Sequence, residues 1–194
     1  MSNGKYRAAW NLALSALRGG NLEDICSRTG AESSGDTIRI RYFSDLYSIT
    51  LPDGCFSPSD LGEGEKILIL HYLVSKGAST HRGRYVTFKG LPGGMFYYST
   101  FRKRGAERLL SVFGDNPENI IPASRRACGT EADFGDVSVK FQVFPSVEVV
   151  VVLYRGDEEF PPDAAILFKD DIIDYLSLED TAYLSGVLAG RLIY

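Results

Sequence analysis

Cysteines are few in this sequence, and they lie far apart. The chain has three among its 194 residues, at Cys26, Cys55 and Cys128. An odd number at such spacing does not indicate a disulfide framework, so we expect free thiols and a reducing, cytoplasmic setting. Structural zinc and iron–sulfur clusters normally need close-spaced pairs such as Cys-x-x-Cys, and the sequence has none. We therefore expect no metal site.

Long hydrophobic runs are also missing. The longest apolar segments, such as Val147–Tyr154, are far shorter than the roughly 20 residues that span a bilayer as a helix. The N-terminus does not show the apolar core of a signal peptide. Because the sequence pI is near 5.3, a general nucleic-acid binder is disfavoured as well. We expect a soluble cytoplasmic protein that binds neither membranes nor nucleic acid.

The N-terminal part of the chain changes from a helical to a strand-like pattern. Apolar residues recur at helical spacing up to Gly19-Gly20, where the first helix is predicted to end. Asn21 is then the predicted N-cap of a short second helix, with Asp24 at its third position. Apolar and polar residues alternate over 37–51, which predicts a β-hairpin that turns at Ser44-Asp45.

The middle of the chain predicts a helix, a strand and another helix. Ile67–Val74 is mostly apolar and is interpreted as a helix because acidic residues precede it. His71, within this stretch, is interpreted as a core histidine with a satisfied side chain. Arg84–Phe88 predicts a strand, and a single helical face runs from 98 to 112. Gly105 lies on that inward face, so we expect another element to pass close to it.

The C-terminal third has the clearest pattern. Val137–Tyr154 predicts a hairpin whose second strand is rich in β-branched residues and suits the centre of a sheet. Ala164–Phe168 predicts a further strand. Asp170–Leu176 and Leu178–Ile193 predict helices, the latter with Ser177 as its N-cap and Asp180 at its third position.

Local hairpins mixed with separate helices predict the α+β class. The length and the 44% content of hydrophobic residues suit one globular unit. We therefore expect a single domain over residues 1–194, in which helices pack on a largely antiparallel sheet.

Charge is distributed unevenly along the chain. Between Lys66 and Gly114 there are nine Lys or Arg and one acid, Glu107, a local net charge of +8. Because the whole chain carries −4, the remainder sums to −12, and its acids concentrate between Asp157 and Asp180. Such a split indicates either that one face attracts anions or that the two segments neutralise each other.

The basic segment contains the main candidate site. Gly93-Gly94 precedes a predicted helix start, where free N–H groups favour an anion and glycines let a ligand approach the backbone. The residues predicted to bind an anionic small molecule are Arg82, Arg84, Lys89, Gly93, Gly94, Tyr97 and Arg102. In the alternative interpretation the glycines only turn the chain. The solvated helix face would then consist of Arg102, Lys103, Arg104 and Arg108.

Several short motifs occur in an order that resembles a known family. They are Ile69-Leu70-His71-Tyr72-Leu73, Leu91-Pro92-Gly93-Gly94, Gly156-Asp157-Glu158-Glu159-Phe160-Pro161, Ile166-Leu167-Phe168, Tyr175-Leu176 and Glu179-Asp180. From about Tyr6 to Leu192, the chain resembles an uncharacterised family that is labelled as a domain of unknown function and is widespread in anaerobic bacteria and archaea. Some members look like fusions to a four-cysteine iron–sulfur domain of the kind seen in corrinoid iron–sulfur proteins. The resemblance implies a link to anaerobic corrinoid or one-carbon metabolism, although this chain has no four-cysteine segment.

Three functional hypotheses follow. The first is a non-catalytic cytoplasmic binding or accessory protein that recognises an anionic metabolite or cofactor. The second is an enzyme whose acid or base groups come from the acidic segment 157–180. The third is a protein-interaction module that docks its acidic and basic faces on a partner protein.

Overall fold

The computed structural model of the protein describes residues 4–77 and 83–194. Its α-helices are α1 (Gly4–Gly19), α2 (Leu22–Thr29), α3 (Glu63–Leu73), α4 (Gly94–Arg104), α5 (Ala106–Phe113), α6 (Ile120–Ser124) and α7 (Leu178–Ile193). Its strands are β1 (Glu32–Ser34), β2 (Thr37–Tyr42), β3 (Asp45–Thr50), β4 (Cys55–Ser57), β5 (Tyr85–Thr87), β6 (Thr130–Ala132), β7 (Val137–Phe144), β8 (Val147–Tyr154) and β9 (Asp163–Lys169). No helix of the described ranges is long and apolar enough to cross a bilayer.

The strands form two sheets, and neighbouring strands in both sheets are antiparallel. The first sheet has four strands in the order β1-β2-β3-β4, and the second has five in the order β5-β9-β8-β7-β6. The predicted α+β class is confirmed, as are both predicted hairpins. The first hairpin is β2–β3 and the second is β7–β8, with β8 in the middle of the larger sheet.

A hydrophobic core connects the sheets to the helices, and Tyr72 of α3 lies within it. Its side chain is fully buried, and its ring stacks on Phe144 of β7 with the centroids 4.1 Å apart. The Tyr72 hydroxyl donates to the carbonyl of Thr29 at 2.7 Å and accepts from the N–H of Ser146 at 3.2 Å. These contacts fix α3 against α2 and the β7–β8 turn, and therefore fix the position of the neighbouring His71.

The predicted N-caps of two helices are confirmed. The Asn21 side chain accepts hydrogen bonds from backbone N–H groups in the first turn of α2, including that of Asp24. Ser177 and Asp180 form a reciprocal capping box at the start of α7. Both sets of bonds are made within four residues, which is why the sequence alone could predict them.

The helix predicted over 98–112 is wrong in one respect, because the chain breaks at Gly105 into α4 and α5. Gly105 has a φ of −113° and a ψ of −82°, which are not helical. The predicted close approach at this residue is confirmed. A Cβ atom on Gly105 would lie 2.8 Å from Ile166 of β9 and 3.0 Å from Ser185 of α7.

Two further boundaries differ from the predictions. The segment Asp170–Leu176 holds only a 3-10 turn at Ile172–Asp174, because the N–H of Asp170 bonds to the carbonyl of Arg84 and prolongs the pairing of β5 with β9. The first hairpin turns at residues 43–44, and not at Ser44-Asp45. Its register pairs residue 42 with residue 45, so the aspartate already belongs to β3.

Candidate functional site

Two of the residues predicted to bind an anion, Lys89 and Arg102, contact the same side chain, that of Tyr98. The Nζ atom of Lys89 lies 4.1 Å from the ring centroid of Tyr98, and Arg102 makes a side-chain hydrogen bond to the same residue. Arg102 also contacts two acids, with its Nη2 3.2 Å from Asp163 Oδ1 and its Nε 3.7 Å from Glu107 Oε1. The basic and acidic segments therefore neutralise each other at this guanidinium.

The other predicted side chains have different surroundings. Arg84 is largely exposed, and its Nε lies 3.8 Å from Oδ2 of Asp170, a residue of the acidic segment. The side chain of Tyr97 is 48% exposed on the first turn of α4. Arg82 lies outside the described residues.

The two glycines before α4 have a structural explanation. Gly93 has a φ of 77°, a left-handed conformation that favours glycine. A Cβ on Gly94 would lie 1.8 Å from the carbonyl oxygen of Phe88, so no larger residue fits there. The Gly94 N–H donates to the carbonyl of Leu91 at 2.9 Å. Anion binding at the start of α4 stays a prediction.

A basic pocket of about 540 Å³ lies where α4 and α5 approach α7. The residues that line this basic pocket are Tyr6, Lys103, Arg104, Arg108, Tyr183, Gly186 and Val187. Within residues 4–77 and 83–194, no carboxylate oxygen lies within 4.0 Å of the charged nitrogens of its three cationic side chains. This distinguishes them from Arg84 and Arg102, which are both paired with acids.

The local fold explains how these cations come together. Residues of a helix are about 100° apart around its axis, so Arg102 and Arg104 point in very different directions. The former reaches β9, while the latter faces α7. The break at Gly105 then starts α5, whose Arg108 donates from Nη1 to the carbonyl of Gly186 at 3.0 Å.

A smaller pocket of about 180 Å³, the histidine pocket, adjoins the basic pocket and shares Tyr6, Arg104 and Tyr183 with it. The residues that line the histidine pocket are Tyr6, Ala9, Gly64, Ile67, His71, Arg104, Ser177, Glu179, Asp180 and Tyr183. The helices are close together here, since a Cβ on Gly64 of α3 would lie 2.3 Å from the Tyr183 hydroxyl of α7.

A hydrogen bond between His71 and Asp180 is the main polar contact of the histidine pocket. His71 Nδ1 lies 2.9 Å from Asp180 Oδ1, and the imidazole is 32% exposed while the carboxylate is 15% exposed. The other carboxylate oxygen accepts from Ser177 Oγ at 2.7 Å and from the Ser177 N–H at 3.3 Å. The capping box of α7 therefore also orients the histidine.

The pair shifts both pKa values in the directions expected for an ion pair. The hydrogen bond to Asp180 raises the pKa of His71, although burial opposes this, and the nearby charge of Glu179 adds a further increase. Burial alone would raise the pKa of Asp180, but the hydrogen bonds from His71 and Ser177 outweigh burial and lower it. The imidazole is thus more readily protonated than a free histidine.

Replacing Asp180 by asparagine should lower the pKa of His71, because the carboxylate that stabilises the imidazolium is gone while its burial remains. NMR titration of the imidazole protons measures this pKa directly. The chain has two histidines, so the signals of His71 are those that disappear in His71→Gln. Glu179→Gln is the matched control and should give a smaller decrease. An unchanged His71 pKa in Asp180→Asn would contradict the structural assignment.

Sequence reasoning missed both pockets. Their residues come from α1, α3, α4, α5 and α7, and His71 is 109 positions away from Asp180. For the histidine pocket, the available signal was the capping pattern, which located Asp180 at a helix start without naming its partner. The interpretation of His71 as a core histidine is wrong in one respect, because its imidazole is 32% exposed and lines a pocket, while Asp180 binds its Nδ1.

Metal binding has no further support from the geometry. In the parts of the chain that the structure describes, no group of three or more His, Cys, Asp or Glu side chains could hold a metal ion. The absence of a metal site remains an expectation from the sequence.

The fold and the pockets define an α+β protein that has two antiparallel sheets and a cationic pocket between its helices. The chain belongs to the family described as "Domain of unknown function (DUF3786)", whose model matches residues 21–191. No curated protein and no solved structure matches the chain. The matched segment includes His71, Asp180 and the three cations of the basic pocket, whereas Tyr6 precedes it.

Proposed function

We propose that the protein binds an anionic small molecule in the basic pocket. The observation that supports this most strongly is the grouping of Lys103, Arg104 and Arg108 around one concave space, without a described carboxylate within ion-pair distance. In a chain of net charge −4, cations left without acidic partners in a pocket concentrate positive potential where a small anion can enter.

The other lining groups suit such a ligand. Guanidinium groups present several N–H donors in a plane and match carboxylate or phosphate oxygens. Burial, and then the charge of Glu65, raises the pKa of Tyr183, so its hydroxyl stays protonated and can donate. The volume of about 540 Å³ lies within the range of roughly 300–1,000 Å³ that small-molecule sites occupy.

The proposed role is that of a non-catalytic binding or accessory protein in the cytoplasm, within anaerobic corrinoid or one-carbon metabolism. The widely spaced cysteines, unpaired in the structure, support the reducing setting. The metabolic setting rests on the family resemblance alone, and the genes adjacent to this one would test it.

Binding of sulfate, phosphate and citrate, measured by calorimetry at low salt, tests the proposal. Arg104→Gln should weaken binding at least about tenfold, because a charge-assisted hydrogen bond contributes roughly 1.5–3 kcal/mol. Arg108→Gln should have a similar effect, and added salt should weaken binding by the parent protein. Thermal melts of each variant show that its fold is retained.

Arg102→Gln and Lys89→Gln are the matched variants for the start of α4. If the anion occupies the basic pocket, both should bind like the parent. If they weaken binding while Arg104→Gln does not, the anion binds at the start of α4, as the sequence predicted. A parent protein that binds none of the three anions contradicts both sites.

An enzyme is the second candidate function, favoured by the hydrogen bond between His71 and Asp180. Asp180 lies in the acidic segment 157–180, and a carboxylate that orients an imidazole is an arrangement used by general bases. Hydrolysis of a panel of phosphate and carboxylate esters, present in the parent and lost in His71→Gln, would support this candidate over simple binding.

A further inference from the structure

The basic pocket and the histidine pocket adjoin each other and share part of their lining. Tyr6, Arg104 and Tyr183 line both pockets. Lys103 and Arg108 line only the basic pocket and provide two permanent positive charges there. His71 lines only the histidine pocket and provides a charge that depends on its protonation.

We infer that the ligand carries two anionic groups, one bound in the basic pocket beside Arg108 and the other bound in the histidine pocket by His71, with Arg104 between them. This inference rests on the proposed function, since it requires that the basic pocket binds an anion. It extends that function by naming the class of ligand, a compact compound with two anionic groups.

The hydrogen-bonding pattern of the imidazole supports a ligand contact. Nδ1 is occupied by Asp180, and the structure gives Nε2 no hydrogen-bond partner among the described residues. The imidazole is nevertheless about one-third exposed and lines the pocket. When the ring is protonated, Nε2–H is a charged donor that a ligand oxygen can accept from.

The acids of the histidine pocket do not cancel this donor. The Asp180 carboxylate accepts hydrogen bonds from the imidazole and from the hydroxyl and N–H of Ser177. These donors stabilise its negative charge, which therefore repels a ligand anion less. Glu179, also on α7, is exposed at the edge of the pocket and its charge opposes an anion there. Among the residues that the structure describes, the other charged or phenolic groups that face the pocket are Arg104 of α4, Tyr6 of α1 and Tyr183 of α7.

The sign of the pH dependence follows from this arrangement. The imidazolium form is the one that can donate from Nε2, and it is populated below the pKa of His71. A ligand with two anionic groups should therefore bind more weakly as pH rises through that pKa. A ligand with one anionic group, held only in the basic pocket, should show no such change.

Sulfonates are suitable probes because they stay ionised over the whole pH range of the experiment. NMR titration of the full chain with methanesulfonate and with a series of short alkane disulfonates gives the dissociation constants. In the parent protein at mildly acidic pH, the best disulfonate should bind about tenfold more tightly than methanesulfonate, a gain typical of one charge-assisted hydrogen bond. This advantage should decline as pH rises.

Three variants locate the effect. His71→Gln should remove the tenfold advantage and its pH dependence, because it weakens disulfonate binding more than methanesulfonate binding. Asp180→Asn should move the pH dependence to lower pH, and Glu179→Gln should increase the advantage. A merely structural role for His71 would leave the preference for disulfonates intact.

Failure of the two-anion inference and failure of the proposed function give different binding results. If the parent binds methanesulfonate but prefers no disulfonate, or if the preference survives in His71→Gln, the two-anion inference is overturned and the proposed function is not. If the parent binds neither kind of sulfonate at any pH, the basic pocket is not an anion site, and both are overturned.

Discussion

Replacing Val151 by aspartate should leave the protein without a stable fold. Val151 is fully buried on β8, the middle strand of the larger sheet, where it lies opposite Val139 and Ile166 of the adjacent strands. An unpaired carboxylate at this position costs several kcal/mol, compared with a total stability of roughly 5–15 kcal/mol for a protein of this kind. Urea denaturation followed by circular dichroism measures the loss.

Val112→Asp is the matched control, because it makes the same chemical change on α5 at a side chain that is 48% exposed. An exposed substitution of this kind is usually within about 0.5 kcal/mol of neutral. We expect the control to unfold cooperatively, close to the parent. Soluble Val151→Asp protein with a similar unfolding midpoint would show that β8 is not the centre of the sheet.

Replacing Gly94 by alanine should destabilise the protein by at least about 3 kcal/mol, which is the upper end of the usual range for overpacking. The new Cβ would be 1.8 Å from the carbonyl oxygen of Phe88, which is a backbone atom and cannot rotate away. Phe88 is itself fully buried and stacks on Phe101 of α4, with centroids 4.2 Å apart. To make room for the new Cβ, the first turn of α4 must move away from Phe88, which disturbs the packing of Phe88 on Phe101.

Gly19→Ala serves as the control for this prediction. Nothing lies within 4 Å of a Cβ placed on Gly19 at the end of α1, so the substitution should be neutral or should stabilise the helix by up to about 1 kcal/mol. Thermal unfolding of the two variants distinguishes a steric requirement for glycine at position 94 from a general effect of replacing glycine by alanine. A Gly94→Ala protein as stable as Gly19→Ala would contradict the close approach to Phe88.

Features determined by neighbouring residues could be predicted from the sequence. The caps at Asn21 and Ser177 depend on bonds within four residues, and the β7–β8 hairpin depends on alternation within one segment. The division of the strands into two sheets could not be predicted, because it depends on which strands pair across the chain. The break at Gly105 was missed for a related reason. Ile166 and Ser185, the residues that pass close to Gly105, are distant from it in sequence.

The candidate site also depends on residues that are distant in sequence, so it could be predicted only in part. The +8 segment indicated that some surface could attract an anion, and the grouping of three cations without described acidic partners agrees with that idea. Sequence could not tell Arg102 from Arg104, because their surroundings depend on whether β9 or α7 lies opposite each of them. Gly93-Gly94 was ambiguous for another reason, as a tight turn and an anion site both favour glycine.

A crystal structure of the protein grown or soaked in sulfate at low ionic strength is the most direct test of the central claim. We expect a sulfate whose oxygens lie about 2.7–3.2 Å from the guanidinium nitrogens of Arg104 and Arg108, in the basic pocket. A sulfate bound instead at the start of α4 beside Lys89 and Arg102, or an empty basic pocket at saturating sulfate, would contradict it.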